Sequence, residues 1–273
     1  MDSAPLPAPR ASALSLEQHG PWALVAGGSE GVGAHLSVKL ARQGFNLVLL
    51  AVGGSPLDAV AGACRAEGVD VRALPVDLTS PDTALASTRR QTDDIEVGLF
   101  AYVAGANLKG CRGAFPDLPL DAVRRVVAMN VDGPLLFAHH YGGRMKQRGR
   151  GGIVLFGSKA GFAGTPQLAH YSGAKAFNRI FSEALWCDMA PFGVEVLHLS
   201  LDSTATPAMT RLGYDISTWD DPELVAQEAL DHIADGPLWV AGGAANYTEA
   251  LRRMTGMPRA ALVAGITRSG PKK

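Results

Sequence analysis

Short apolar runs rich in β-branched residues recur along this chain. They are separated by segments in which apolar positions repeat every three or four residues. The runs read as buried strands at 23–26, 46–50, 70–75, 97–103, 152–156, 194–200 and 238–241. The segments between them read as helices at about 32–43, 56–67, 80–91, 119–148, 171–191 and 221–234, with another helical pattern at 244–254. Strand and helix alternate, which predicts an α/β fold: a doubly wound parallel sheet of about seven strands with helices on both faces. Such sheets place ligands beyond the carboxyl ends of their strands. The stretch from Asp202 to Asp221 is the longest irregular segment after the early strands, either a lid or a surface loop.

Length and composition bound this picture. At 273 residues, 47% hydrophobic and 19% charged, the chain reads as one large domain with a substantial core. The expected organisation is a flexible tail rich in Ala, Pro and Ser at 1–16, a single domain at 17–245, and a C-terminal helix and tail at 246–273. A net charge of −1 with scattered Lys and Arg argues against nucleic acid as a partner. The local cluster Arg144, Lys146, Arg148 and Arg150 suits a helix C-terminus. The apolar runs are too short for a membrane span, and the N-terminus lacks the pattern of a secretion signal. Cys64, Cys111 and Cys187 show no CxxC or metal-ligand spacing, so no metal is expected, and free thiols fit a reducing cytoplasm. His139 and His140 are helix neighbours that diverge by about 100°, which argues against shared ligation.

The chemistry lies in two motifs. The first, Ala26-Gly27-Gly28-Ser29-Glu30-Gly31-Val32-Gly33, joins the first strand to the first long helix. Glycines let the backbone turn sharply and approach a pyrophosphate, and free N–H groups at the helix start attract its charge. The loop thus predicts a Rossmann-type dinucleotide site at Gly27, Ser29, Gly31, Val32 and Gly33. The second motif is Tyr171-Ser172-Gly173-Ala174-Lys175, with Ser158 upstream. A tyrosine and a lysine four apart share one helix face. An ammonium beside a phenol favours the phenolate; lowering an unperturbed pKa of about 10 by roughly 3 units corresponds to about 4 kcal/mol of differential stabilisation.

Together these motifs resemble the short-chain dehydrogenase/reductase family over about residues 20–245. The resemblance implies a catalytic tetrad of Asn130, Ser158, Tyr171 and Lys175. It further implies that Asp77 contacts adenine beside Leu78, and that Ala104 and Gly105 line the cofactor. Thr204 and Thr206 would hold the nicotinamide carboxamide and pyrophosphate, and Tyr171 and Lys175 would also contact the cofactor. A closer likeness to bacterial 7β-hydroxysteroid dehydrogenases is carried by Ser29–Gly33, Tyr102-Val103-Ala104 and Ser203–Pro207. Three departures stand out. Tyr102-Val103 replaces the family's two asparagines. Asp202 replaces a glycine that lies close to nicotinamide. The second strand ends Ala51-Val52-Gly53-Gly54, with neither the acid that selects NAD nor the arginine that selects NADP. NADP is slightly favoured over NAD from the subgroup likeness.

The implied activity is hydride transfer between NAD(P)(H) and a secondary alcohol or ketone, with a steroid-like or other bulky apolar substrate. In this scheme Ser158 holds the carbonyl, Tyr171 moves the proton, Lys175 lowers the phenol's pKa and binds ribose, and Asn130 holds a relay water. His170 is read as a wall of the site. Two alternatives are a 3-oxoacyl thioester reductase, whose basic entrance Lys109, Arg112 or Arg211 would supply, and a non-catalytic dinucleotide sensor. Family likeness also implies a homodimer or homotetramer. The helices at 119–148 and 171–191 carry Val126, Val127, Leu135, Leu136, Phe137, Phe177, Phe181 and Trp186, which serve either a partner or the core.

Overall fold

In the computed structural model, which describes residues 14–267, seven strands form one sheet. The strands are β1 (Trp22–Ala26), β2 (Asn46–Ala51), β3 (Val71–Pro75), β4 (Val97–Tyr102), β5 (Gly151–Ser158), β6 (Val194–Leu201) and β7 (Leu238–Val240). Their order is β3-β2-β1-β4-β5-β6-β7, and every pairing is parallel. All seven expected strands form, within a residue or two of the expected ends. The order reverses between β1 and β4, so their carboxyl ends diverge into the crevice that the pattern predicts.

The helices are α1 (Leu16–His19), α2 (Gly31–Arg42), α3 (Ser55–Ala66), α4 (Pro81–Arg90), α5 (Leu120–Val127), α6 (Gly133–Arg148), α7 (Ala169–Met189), α8 (Pro207–Arg211), α9 (Pro222–Asp231), α10 (Gly243–Gly256) and α11 (Arg259–Thr267). Local signals set several of the ends. Pro81 and Pro222 sit in first turns, where a missing N–H costs nothing. The Asp221 carboxylate caps α9 by accepting from the Glu223 N–H at 2.8 Å. Three expectations change. Leu16, the last residue of the expected N-terminal tail, begins α1, which Ser15 caps, and residues 1–13 and 268–273 lie outside the described region. The segment expected to be irregular at 202–221 contains α8 and a parallel bridge from Thr204 to Asp220. The expected helix at 119–148 is interrupted by a π turn at Ala128–Asp132.

Alternate residues of the buried strands face opposite layers. Ala23, Val25, Leu47 and Leu49 pack with α2, α3 and α9, whereas Leu24, Ala26, Val48 and Leu50 pack with α4, α6 and α7. In the second layer Phe100 lies 6.0 Å from Phe137 and 5.8 Å from Tyr141, centroid to centroid. The buried Tyr141 hydroxyl shares a 2.8 Å hydrogen bond with Thr92 Oγ1. The cationic cluster at the end of α6 is consumed by structure. Arg144 pairs with Asp93, Arg148 and Arg150 pair with Glu96, and Lys146 lies over the Phe192 ring. Phe137 is fully buried at the centre of this layer. Phe137→Ala is expected to lower the unfolding free energy by about 3–5 kcal/mol, read from urea denaturation; a loss below about 1 kcal/mol would show that the layer is not tightly packed.

Candidate active site

The glycine turn after β1 is built by close backbone contact. The Gly27 N–H donates to the Leu50 carbonyl at 2.7 Å, and the Val103 and Ala104 N–H groups donate to the Ala26 carbonyl at 2.8 and 2.9 Å. A Cβ at Gly33 would stand 2.0 Å from the Gly27 carbonyl oxygen, so only glycine lets α2 begin this near the strand. Ser29 is partly exposed in the turn, while Val32 is buried in the core below it. Across the groove, the Thr206 side chain lies against Gly31, and Arg211 of α8 forms an ion pair with Glu30. The groove beside α8 has a volume of about 450 Å³ and is lined by Ala205, Thr206, Pro207, Thr210, Arg211 and Ile216.

Ser158 ends β5, and its hydroxyl stands near enough to the Tyr171 phenol to favour the phenolate. Lys175, one turn further along α7, is 2% exposed and has no carboxylate partner among the described residues. Its ammonium donates to the Phe156 carbonyl at 3.2 Å and lies 5.7 Å from the centroid of the Tyr171 ring. Burial pulls Lys175 down to about 8. Burial pushes Tyr171 up to about 12, against the influence of Ser158 and with a further rise from nearby Tyr214. The expected lowering of the phenol by Lys175 is not found: desolvation dominates, and the only downward influence comes from Ser158.

Asn130 is 0% exposed and sits in the π turn. Pro134, four residues on, has no N–H, so the Asn130 carbonyl lacks an intrahelical donor. Asn178 Nδ2 supplies one at 2.9 Å. Asn130 Nδ2 donates to the Val126 carbonyl at 2.8 Å, but its Oδ1 has no partner. A Cβ at Gly105, where φ is +155°, would lie 2.8 Å from that oxygen and 2.6 Å from the Lys175 ammonium. The structure thus brings Asn130, Lys175 and Gly105 together, beside Ser158 and Tyr171. Ala104 adjoins them, held by its bond to Ala26.

Other expected site residues are engaged elsewhere. Asp77 lies past β3 and accepts from the Thr79 N–H and hydroxyl at 2.9 and 2.7 Å. Desolvation acts upward on its carboxyl, but those bonds and Arg125 hold it below its usual value. The Leu78 side chain is buried in the core, leaving only its backbone for a ligand. The Thr204 hydroxyl donates to the Asp202 carbonyl at 3.2 Å. The Asp202 carboxylate, in place of the family's glycine, accepts from Lys159 at 2.6 Å; Lys159 also donates to Asn246 of α10 at 2.7 Å. His170 Nε2 and Asn107 Oδ1 are hydrogen-bonded at 3.0 Å.

Sequence reasoning passed over Asn178 and His198 and read Tyr102 only as a departure from the family's asparagines. The Tyr102 hydroxyl donates to the Met129 carbonyl at 3.0 Å and braces the π turn, in place of the absent asparagines. Pro134 four residues after Asn130 was a usable signal for the freed carbonyl. A histidine in the middle of an apolar strand was another signal. His198 is 0% exposed between Ser182 and Ser200, and burial and nearby Lys175 hold it neutral, at about 3.

The open glycine turn, the unpartnered Asn130 oxygen and the unused Lys175 donors fit a polar ligand lying across the strand ends. Residues 21–217 match the family model described as short chain dehydrogenase. The chain belongs to that family, whose members are oxidoreductases that bind NAD(P). It is 30% identical to a 7beta-hydroxysteroid dehydrogenase of Clostridium sardiniense, over 81% of this chain and 82% of that protein. It is 28% identical to a very-long-chain 3-oxoacyl-CoA reductase of Coccidioides immitis (strain RS), over 82% of this chain but only 65% of that protein. Among solved structures, a 7beta-hydroxysteroid dehydrogenase studied for its stereoselectivity superposes with a TM-score of 0.84 at 25% identity, covering 92% of this chain and 98% of that one. A short-chain dehydrogenase from Sphingobium yanoikuyae in complex with NADPH gives a TM-score of 0.76 at 28% identity, covering 93% and 99%.

The depressed Lys175 pKa makes a testable statement about stability. Its folded value, about 8, lies below its ordinary 10.5, so the unfolded chain binds more protons between those pH values. Wild-type stability relative to Lys175→Met should therefore rise as pH increases from 8 to 10.5. Denaturation midpoints across that range test this; a flat difference would mean that Lys175 titrates as a solvated lysine.

Proposed function

We propose that this chain interconverts a secondary alcohol and a ketone with NAD(P)(H), using Asn130, Ser158, Tyr171 and Lys175. The supporting observation is the buried Lys175 ammonium 5.7 Å from the centroid of the Tyr171 ring, with the Ser158 hydroxyl near the phenol. The nicotinamide supplies hydride chemistry when bound. Ser158 orients the substrate oxygen by hydrogen bonding. Tyr171, protonated at neutral pH, donates its proton to that oxygen in reduction and regains one in oxidation. Lys175 stabilises the phenolate left behind, and Asn130 Oδ1 accepts from a donor in the same space. Gly27, Ser29, Gly31, Val32 and Gly33 would hold the pyrophosphate. Thr204, Thr206, Asp77, Leu78, Ala104 and Gly105 would complete the dinucleotide site. We take residues 17–245 as the catalytic domain.

NADP is the favoured cofactor. Ala51-Val52-Gly53-Gly54-Ser55 ends β2 without a carboxylate to repel a 2′-phosphate, and a similar dehydrogenase binds NADPH. A bulky apolar substrate accords with the likeness to hydroxysteroid dehydrogenases. The second reading, a 3-oxoacyl thioester reductase, rests on the fungal relative. A sensor role is disfavoured because all four reactive side chains are present. Self-association is supported by Leu135 and Ile180, 38% and 53% exposed on α6 and α7. A cytoplasmic location accords with three free cysteines; among the described residues no helix is long and apolar enough to cross a membrane.

Tyr171→Phe removes one hydroxyl. Ketone reduction should fall by about 10²–10⁴-fold while dinucleotide binding, read by fluorescence titration, persists; unchanged turnover would overturn the assignment. In the same assay kcat/KM should be higher with NADPH than with NADH, and the reverse order would assign NAD.

A further inference from the structure

Three cations around the crevice are paired with carboxylates. Arg211 pairs with Glu30, Arg125 with Asp77 and Lys159 with Asp202. Arg112, in the loop after β4, is held differently. Its Nε donates to Gln167 Oε1 at 3.2 Å and its Nη1 donates to the Tyr214 hydroxyl at 2.9 Å. Both partners are neutral, and no described carboxylate forms an ion pair with it. The guanidinium is thus oriented by two bonds while its charge stays uncompensated and its remaining donors stay free.

Its position relates it to the reacting groups. Gln167 stands just before α7, one turn from Tyr171. Tyr214 is near enough to Tyr171 to perturb the phenol. The loop carrying Arg112 is tied to the start of α7 twice more, by the Gly113 N–H to the Gln167 carbonyl at 3.1 Å and by Asn107 to His170 at 3.0 Å. Gln167 holds a φ of +66°, a conformation that costs a non-glycine residue energy and recurs at ligand clamps. Apolar groups accompany it: its partner Tyr214 packs on Trp219 at 5.4 Å, and Phe115, three residues along the same loop, is 51% exposed.

We infer that the substrate joins an apolar body to an anionic group, a carboxylate or a phosphate, and that Arg112 binds this anion while Tyr171 and Ser158 meet the carbonyl. This inference rests on the proposed carbonyl chemistry and narrows its substrate class. A planar guanidinium matches two anionic oxygens, and an anion there would meet a charge already aimed by Gln167 and Tyr214. Arg112 would select the substrate and leave the proton transfer to others.

The test compares three ketones with one polycyclic body: a free side-chain carboxylate, its methyl ester and its coenzyme A thioester. In the wild type, kcat/KM for one anionic form should exceed that for the ester by about tenfold, mostly through KM. An advantage of the carboxylate identifies a free acid as the anion; an advantage of the thioester identifies a phosphate. In Arg112→Gln the ratio of anion to ester should fall close to one, and Arg112→Lys should restore part of it. Circular dichroism checks that the variants fold. Equal rates for all three ketones in the wild type, or an advantage that survives in Arg112→Gln, would overturn the inference. So would failure on all three while other ketones are reduced. Failure on every ketone would instead remove the oxidoreductase reading beneath it.

Discussion

A lysine ammonium buried without a carboxylate is the constraint around which this site is arranged. Desolvating a cation is costly, and its pKa falls accordingly, to about 8 for Lys175. What surrounds it is neutral and oriented: the Phe156 carbonyl accepts one donor, the Asn130 oxygen lies across Gly105, and His198 beneath is kept uncharged. An acid in this place would satisfy Lys175 inside the protein. Its absence leaves hydrogen-bonding capacity facing the crevice, where a ligand's hydroxyls can meet it.

The same desolvation governs Tyr171. A phenol at about 12 is a proton donor at neutral pH, and the Ser158 hydroxyl acts in the opposite sense. The i, i+4 spacing guarantees proximity on a helix, yet the sign of a pKa shift depends on the balance between charge and burial. In this structure burial dominates both groups, raising the phenol and lowering the ammonium, so the two values move apart.

Tertiary devices hold this arrangement steady. Pro134 frees the Asn130 carbonyl, Asn178 captures it, and Tyr102 ties the neighbouring Met129 carbonyl to β4. Further out, Lys159 links the loop after β5 to Asp202 and to Asn246 of α10, so a C-terminal helix is joined to the residue that follows Ser158. Arg211 and Glu30 join α8 to the glycine turn. These links span the two loops between which a substrate would enter.

The sequence by itself determined the parallel sheet, the glycine turn, and the placing of Ser158 at the end of β5 and of Tyr171 and Lys175 one turn apart on α7. These features rest on local rules: alternating burial in strands, a 3.6-residue helical period, and the backbone freedom of glycine at close contacts. Only the tertiary structure decided what Asp202, Arg112, Asp77 and Tyr102 do. Their partners lie far along the chain, 43 residues from Lys159 to Asp202 and 102 from Arg112 to Tyr214, or depend on an Asx turn and a π turn that no periodicity announces. Charge alone could not assign Asp202 to Lys159 rather than to a ligand, nor leave Arg112 uncompensated. Those outcomes depend on how loops from separate strands meet at one edge of the sheet, which short-range patterning does not encode.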